Sequence, residues 1–367
     1  MIFSPIAALA VVGLVAAHPG ADHHQELRER SDFLSKVERR DLSHCAEYRA
    51  ARGIEKRAIA RRKQTRALKY KRGLVERAPE DINKSHHSSA DYTANTPLDV
   101  IFGSNTSCVL SPEVTEGPYY VAGEYVRQDI TDNEPGVPLI VDLDVFDVET
   151  CEPIPDLYVE IWSCNSTGVY SGVPSGGDYT EAPENLKTTF LRGFQKTDDI
   201  GAVQFDSVYP GHYSGRTHHI HVMVHPNATA RSNGTIVDTI SSHVGQVYFD
   251  QELSNAVEEL APYNTNTQSL TLNADDFLLA SGLETSDPFL NYVLLGEDVS
   301  EGVLAWISFG INSTYVRTVS AAATYYEGGG VSNGDGGGGG PGGPGGPGGP
   351  SGTPSGTFLP PSGTPSA

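Results

Sequence analysis

The sequence predicts a mainly β domain, a sandwich or barrel, set between an N-terminal helical arm or prosegment and a disordered C-terminal tail. Three changes of texture carry that reading. Residues 23–76 are rich in helix formers and dense in charge, with apolar residues at roughly helical spacing (Leu27, Phe33, Leu34, Val37, Leu42). From about Leu98 to Tyr326 the chain turns into short runs of Val, Ile, Thr and Tyr, broken by Gly, Pro, Asn and Asp. Beyond Glu327 it becomes Gly, Pro, Ser and Thr repeats, which hold too little apolar surface to build a core.

Taken in order, residues 1–17 (MIFSPIAALAVVGLVAA) are apolar, uncharged and end in small residues, the pattern of a secretory signal peptide. The run is shorter than the roughly 20 residues a membrane span needs, and no later segment has that character. Residues 18–97 are basic, with pairs at Arg39-Arg40, Lys56-Arg57, Arg61-Arg62 and Lys71-Arg72; a cleaved prosegment and a retained arm both fit. Within 98–326 the expected strands include Leu139–Phe146, Leu157–Trp162, Ala202–Phe205 and His219–Val224. Residues 327–367 are the tail, and they lack the hydrophobic end of a lipid-anchor signal.

Charge divides sharply between these parts. Residues 18–77 hold 17 of the 25 Lys and Arg against 9 acidic residues, and residues 78–367 hold 8 basic against 37 acidic. So acidic a domain argues against nucleic-acid or anionic-membrane partners. Secretion makes sense of six Asn-x-Ser/Thr sequons, at Asn83, Asn105, Asn165, Asn227, Asn233 and Asn312. It also suits the even number of cysteines: Cys45, Cys108, Cys151 and Cys164 predict one or two disulfides, in pairings the sequence does not rank.

The chemistry concentrates in VYPGHYSGRTHHIHVMVHP, Val208 to Pro226. On a strand, His219 and His221 share one face, opposite Ile220, Val222 and Val224. Two imidazoles at that spacing suit one metal ion, although a half-exposed strand also carries such pairs without one. Tyr213 precedes them after a Pro-Gly turn, and Tyr170 follows a glycine 43 residues upstream of it. A phenol is neutral in water, with a pKa of about 10, but a trivalent cation displaces its proton and takes the phenolate as ligand. Two tyrosinates, two neutral histidines and one hydroxide neutralise Fe(III). His212, His218 and His225 are expected to be bystanders, surface residues or supports of the site.

Five blocks appear in order: TEGPYYV (Thr115–Val121), Arg127-x-Asp129-Ile130, CEPIPDLYVEIWSCNSTGVYSG (Cys151–Gly172), LRGFQKTDDIGAVQF (Leu191–Phe205) and YPGHYSGRTHHIH (Tyr209–His221). The series resembles the intradiol ring-cleavage dioxygenases, and within them the secreted fungal branch. It covers about Ser111 to Pro226, with a weaker extension in HVGQVYFDQEL (His243–Leu253). The resemblance implies an intradiol-type β-sandwich holding Fe(III) through Tyr170, Tyr213, His219 and His221. It also implies a small aromatic diol and O2 as substrates, with cleavage between the hydroxyl-bearing carbons to a muconic acid-type product. Arg216 matches the family's arginine upstream of the histidine pair, and would stabilise negative charge on the ring. Tyr213 would also accept a substrate proton. Tyr119, Arg192 and Gln195 are the expected substrate contacts, and a homodimer is compatible. The connection from Tyr213 to the histidines is shorter than in the bacterial enzymes, which leaves the ring substituents open.

Two other readings compete: a β-sandwich binding or surface protein that keeps the motif without turnover, and a Zn or Cu site that uses His219 and His221 alone.

Overall fold

The computed structural model describes residues 42–69, 107–109, 117–174, 182–283, 286–326 and 329–333. The apolar segment 1–17, the pairs Arg39-Arg40 and Lys71-Arg72, Asn83 and Asn105, the side chain of Cys108, and the repeats beyond 333 lie outside the described residues.

Nine strands build two main sheets: β1 (Ser107–Val109), β2 (Pro138–Asp147), β3 (Tyr158–Trp162), β4 (Arg192–Lys196), β5 (Ala202–Val208), β6 (His219–His225), β7 (His243–Tyr248), β8 (Asn291–Leu294) and β9 (Val303–Ile311). One sheet runs β1-β9-β2-β5, with β8 also paired to β9. In it β9 is parallel to β1 and β2, while β5 and β8 are antiparallel to their partners. The second sheet runs β7-β6-β3-β4 and is antiparallel throughout.

The sandwich closes because alternate residues of both sheets are apolar. Leu139, Val141, Leu143 and Val145 of β2 and Val303, Ala305, Ile307 and Phe309 of β9 meet Val159 and Ile161 of β3 and Ile220, Val222 and Val224 of β6 in one buried core. Each of the Val, Leu, Ile and Phe side chains among them contributes about 1.5–3 kcal/mol on leaving water. The predicted strands are all present. The tail begins later than the composition suggests, since Gly329–Ser332 pairs with Ala323–Tyr326.

The outer face of the first sheet is covered by the basic arm, through α1 (Ala46–Ala51) and α2 (Ile54–Lys69). Ala, Arg, Lys, Gln and Glu fill α2 with strong helix formers, and its buried residues Ile54, Ala58, Arg62 and Arg66 fall four apart, on one face. Arg61 Nη2 and Arg62 Nε each lie 2.8 Å from Asp142 Oδ1, and both arginines also reach Asp144. Burial by itself raises an Asp142 carboxyl, but Arg62 and Arg61 overcome it and hold the group well below the usual carboxylate range. A Cys45–Cys151 disulfide ties the arm's first turn to the domain, and Cys164 is a buried free thiol.

Candidate metal centre

The two tyrosines, 43 residues apart, are brought together by loops that dock backbone to backbone. The loop before Tyr170 is set by Asn165, whose Oδ1 accepts from Thr167 N (3.1 Å) and Val169 N (3.0 Å). Gly168 has φ +84°, and a Cβ there would collide with the His212 carbonyl; a Cβ on Gly211 would collide with the Ser166 backbone. Gly211 N also donates to Asn165 O at 3.1 Å. Glycine at both contacts is therefore a steric condition for the two ligand loops to meet.

His219 is oriented by its own chain. Its Nδ1 is 2.6 Å from Thr217 O, which only accepts, so Nδ1 carries the hydrogen and Nε2 keeps its lone pair. Around that Nε2 stand Tyr170 Oη and Tyr213 Oη, each at 3.4 Å. The His221 ring lies 5.0 Å from that of His219 and 6.3 Å from that of Tyr170, and stacks on Trp162 at 4.7 Å. All four donors are buried. Two donors each about 2 Å from one ion subtend a separation near 3.3 Å, close to that observed between the phenols and Nε2. Burial pushes both phenols well above their ordinary pKa, so a cation is needed to ionise them. Hard phenol oxygens with neutral imidazoles suit a trivalent hard cation such as Fe(III).

Arg216 is fixed beside this set, with Nη1 3.5 Å from His219 Nε2. Its Nε donates to Asp276 Oδ2 at 2.9 Å, both side chains being wholly buried, and Nη2 donates to Gln246 Oε1 and to Tyr248 Oη, the latter at 3.1 Å. Burial disfavours the charged guanidinium, but Asp276 more than restores it. Gln246 and Tyr248 lie opposite His221 and His219 in the β7–β6 register. Alternation along HVGQVYFD could have singled them out. Asp276 has no such signal: it sits in a segment that carries no motif and reaches the site only through the tertiary fold.

Sequence comparison places residues 115–251 in a family described as Dioxygenase. Catechol 1,2-dioxygenases of Acinetobacter baylyi and a Pseudomonas species are 31% and 34% identical over 108 residues, 28% of this chain. The match spans 32% of each of those relatives, about a third of their length. An intradiol ring-cleavage dioxygenase of Tetranychus urticae is 31% identical over 57% of this chain and 97% of its own, with a TM-score of 0.47. The chain belongs to the intradiol ring-cleavage dioxygenase family.

For an intradiol dioxygenase family member, the remaining expected contacts divide. Tyr119 stacks on Tyr170 at 4.4 Å and meets Tyr213 edge-on at 5.8 Å, so it lines the centre. Arg192 is buried behind Tyr170, its Cζ 5.7 Å from that ring, and its Nε and Nη2 donate to Ser171 O at 3.0 and 2.7 Å. It therefore braces the Tyr170 loop through Ser171. Gln195 differs from its expected place: its partner across the β3–β4 ladder is Val159, a core residue, which puts Gln195 on the face away from His219 and His221. His225 shares the face of His219 but bonds Glu160 Oε2 at 2.8 Å. His212 and His218 are not surface residues, since both are buried against Glu258.

Proposed function

We propose that this chain is a secreted Fe(III) intradiol dioxygenase that cleaves catechol-type rings between the two hydroxyl-bearing carbons with O2, giving muconic acid-type products. One observation carries the reading: two phenols and two imidazoles from separate loops and strands converge in a buried cluster beside one fixed guanidinium. A site using the histidines alone gives no reason for both phenols to stand 3.4 Å from His219 Nε2.

Tyr170, Tyr213, His219 and His221 would hold the iron, which when bound supplies a Lewis acid that binds and activates a catechol as its dianion. The chain's own groups supply the rest. Tyr213 Oη is the candidate acceptor for a catechol hydroxyl proton. Arg216, held on three sides, presents positive charge without needing to reorganise, which favours a ring that gains negative charge. Tyr119 adds an aromatic wall. The Cys45–Cys151 disulfide supports an oxidising, extracellular setting for the mature protein.

The purified protein should hold stoichiometric iron and show a broad visible charge-transfer band, and it should consume O2 with at least one of catechol, protocatechuate and hydroxyquinol. Tyr170→Phe and Tyr213→Phe should each shift or remove the band. An iron-loaded protein without colour would overturn the ligand set. A coloured protein inert to all three diols would favour a binding protein instead.

A further inference from the structure

We propose that His212, His218 and Glu258 form a second metal site, selective for a zinc-type divalent cation and separate from the tyrosine–histidine centre. Three elements aim donors at one point. His212 follows the Pro210-Gly211 turn, His218 immediately precedes β6, and Glu258 is the last residue of α3 (Gln251–Glu258), whose start Asp250 caps by accepting from Leu253 N at 2.8 Å. His212 Nδ1 lies 2.8 Å and His218 Nε2 2.7 Å from the same oxygen, Glu258 Oε1. The three donor atoms fall within 4.8 Å of one another.

Carboxylates commonly accept N–H bonds from buried histidines, and two further features favour a cation here. The other nitrogen of His212, Nε2, is 3.1 Å from Gln268 O, a backbone carbonyl that only accepts. Nε2 is thus committed to the carbonyl, and Nδ1 is the nitrogen that faces the cluster. This is the arrangement in which metal-ligating histidines are held. The exposures also suit a metal. His212 and His218 are 3% and 0% exposed, whereas Glu258 keeps 15%, so the carboxylate is the member of the cluster nearest solvent.

The donor set is two imidazoles and one carboxylate, with no thiolate, which matches three-ligand zinc sites with one open position. Ligands about 2 Å from a shared ion stand near 3.3 Å apart, so binding requires each nitrogen–oxygen pair to widen by roughly 0.5 Å. Glu258, at a helix end and partly exposed, can supply that movement.

This site cannot share its ion with the other centre, because His218 points to the opposite side of the chain from His219. It would, however, clamp both ends of the turn that carries Tyr213 and Arg216. The inference does not depend on the reaction proposed for that centre.

The test is zinc titration of the iron-loaded full chain, followed by calorimetry and metal analysis, with an X-ray absorption spectrum at the zinc edge. One zinc per chain should bind without loss of iron, raise the melting temperature, and show nitrogen and oxygen donors with no sulfur. Glu258→Gln and His218→Asn should each abolish that equivalent. If zinc fails to bind at millimolar concentration, binds only as iron leaves, or binds the two variants as tightly as the parent, the assignment is wrong. The absorption spectrum reads the ligands in the parent protein, so the proposal stays testable if either variant misfolds.

Discussion

Asp276→Asn is the sharpest probe of how the guanidinium is held. Asp276 Oδ2 accepts from Arg216 Nε and Thr217 N, both at 2.9 Å, and Oδ1 accepts from Leu279 N at 3.0 Å. All three partners are donors. An asparagine offers one accepting oxygen and one NH2, so either rotamer turns a donor against at least one N–H. The minimum loss is one charge-assisted bond, about 1.5–3 kcal/mol. Because Arg216 and Asp276 are wholly buried, loss of the counter-charge can raise the cost to about 3–5 kcal/mol. For a domain of this size that larger cost lowers Tm by roughly 6–20 °C. A guanidinium released from this position should cost about 100-fold in kcat, the scale seen when one preorganised donor is lost or displaced. KM should change little. Iron content and the visible band should persist, because none of the four proposed ligands contacts Asp276 in these bonds. The assay is O2 uptake on iron-loaded protein, alongside the spectrum and a melting curve. If kcat stays within about threefold of the parent, Asp276 does not position Arg216. If the band is lost instead, Asp276 acts through the ligand loop and not through the guanidinium.

Three further outcomes follow from the same structure. Arg62→Met removes one partner from a buried cluster and leaves Asp142 and Asp144 short of a countercharge; urea unfolding should show a loss of about 3–5 kcal/mol, and a loss below about 1 kcal/mol would mean the arm is not docked as described. On the pH axis, burial lowers the His225 pKa, but bonds to Asp238 and Glu160 outweigh it and raise it to about 9. A raised folded pKa stabilises fully below the unfolded value near 6.5 and is lost as pH climbs to about 9, so the melting temperature should fall across that window, by at most on the order of 3 kcal/mol of stability, and the slope should flatten in His225→Gln. If the chain is secreted through a glycosylating pathway, the exposed Asn227 and Asn233 should carry glycans, whereas Asn165 should not: its Nδ2 donates to Glu134 Oε2 at 2.9 Å and its Oδ1 sets the Tyr170 loop. Glycopeptide mass spectrometry reads the three positions separately, and an occupied Asn165 would contradict that bonding.

What could be read from the sequence follows the range of the interactions. The His219–His225 strand was legible because alternation is local: Ile220, Val222 and Val224 enter the core, and His219 and His221 face the other way. Tyr170 and Tyr213 came from an ordered series of motifs, with glycines that make their approach possible. Gln195 was misplaced because which face it takes depends on its register against β3, and nothing in LRGFQKTDD fixes that pairing. Asp276 was missed for a similar reason, since a lone carboxylate in a polar segment has no pattern until the fold seats it against Arg216.

The charge asymmetry shows most clearly how an observation can be correct and its meaning still hidden. The basic arm and the acidic domain invited a boundary near residue 98, with the arm either a removable prosegment or a retained element. In the fold, Asp142 and Asp144 lie on a central strand of the first sheet, next to apolar neighbours Ile140, Leu304 and Trp306. Two carboxylates on such a face would be costly without countercharge. Arg61 and Arg62 provide it, Ile59 packs with the apolar group, and the Cys45–Cys151 link holds the arm in place. Of the Arg61-Arg62 pair, Arg62 is buried and Arg61 half-buried, and both are engaged in ion pairs with Asp142 and Asp144. The acidic residues that make the domain look self-sufficient in sequence are, at these two positions, the reason it needs the arm.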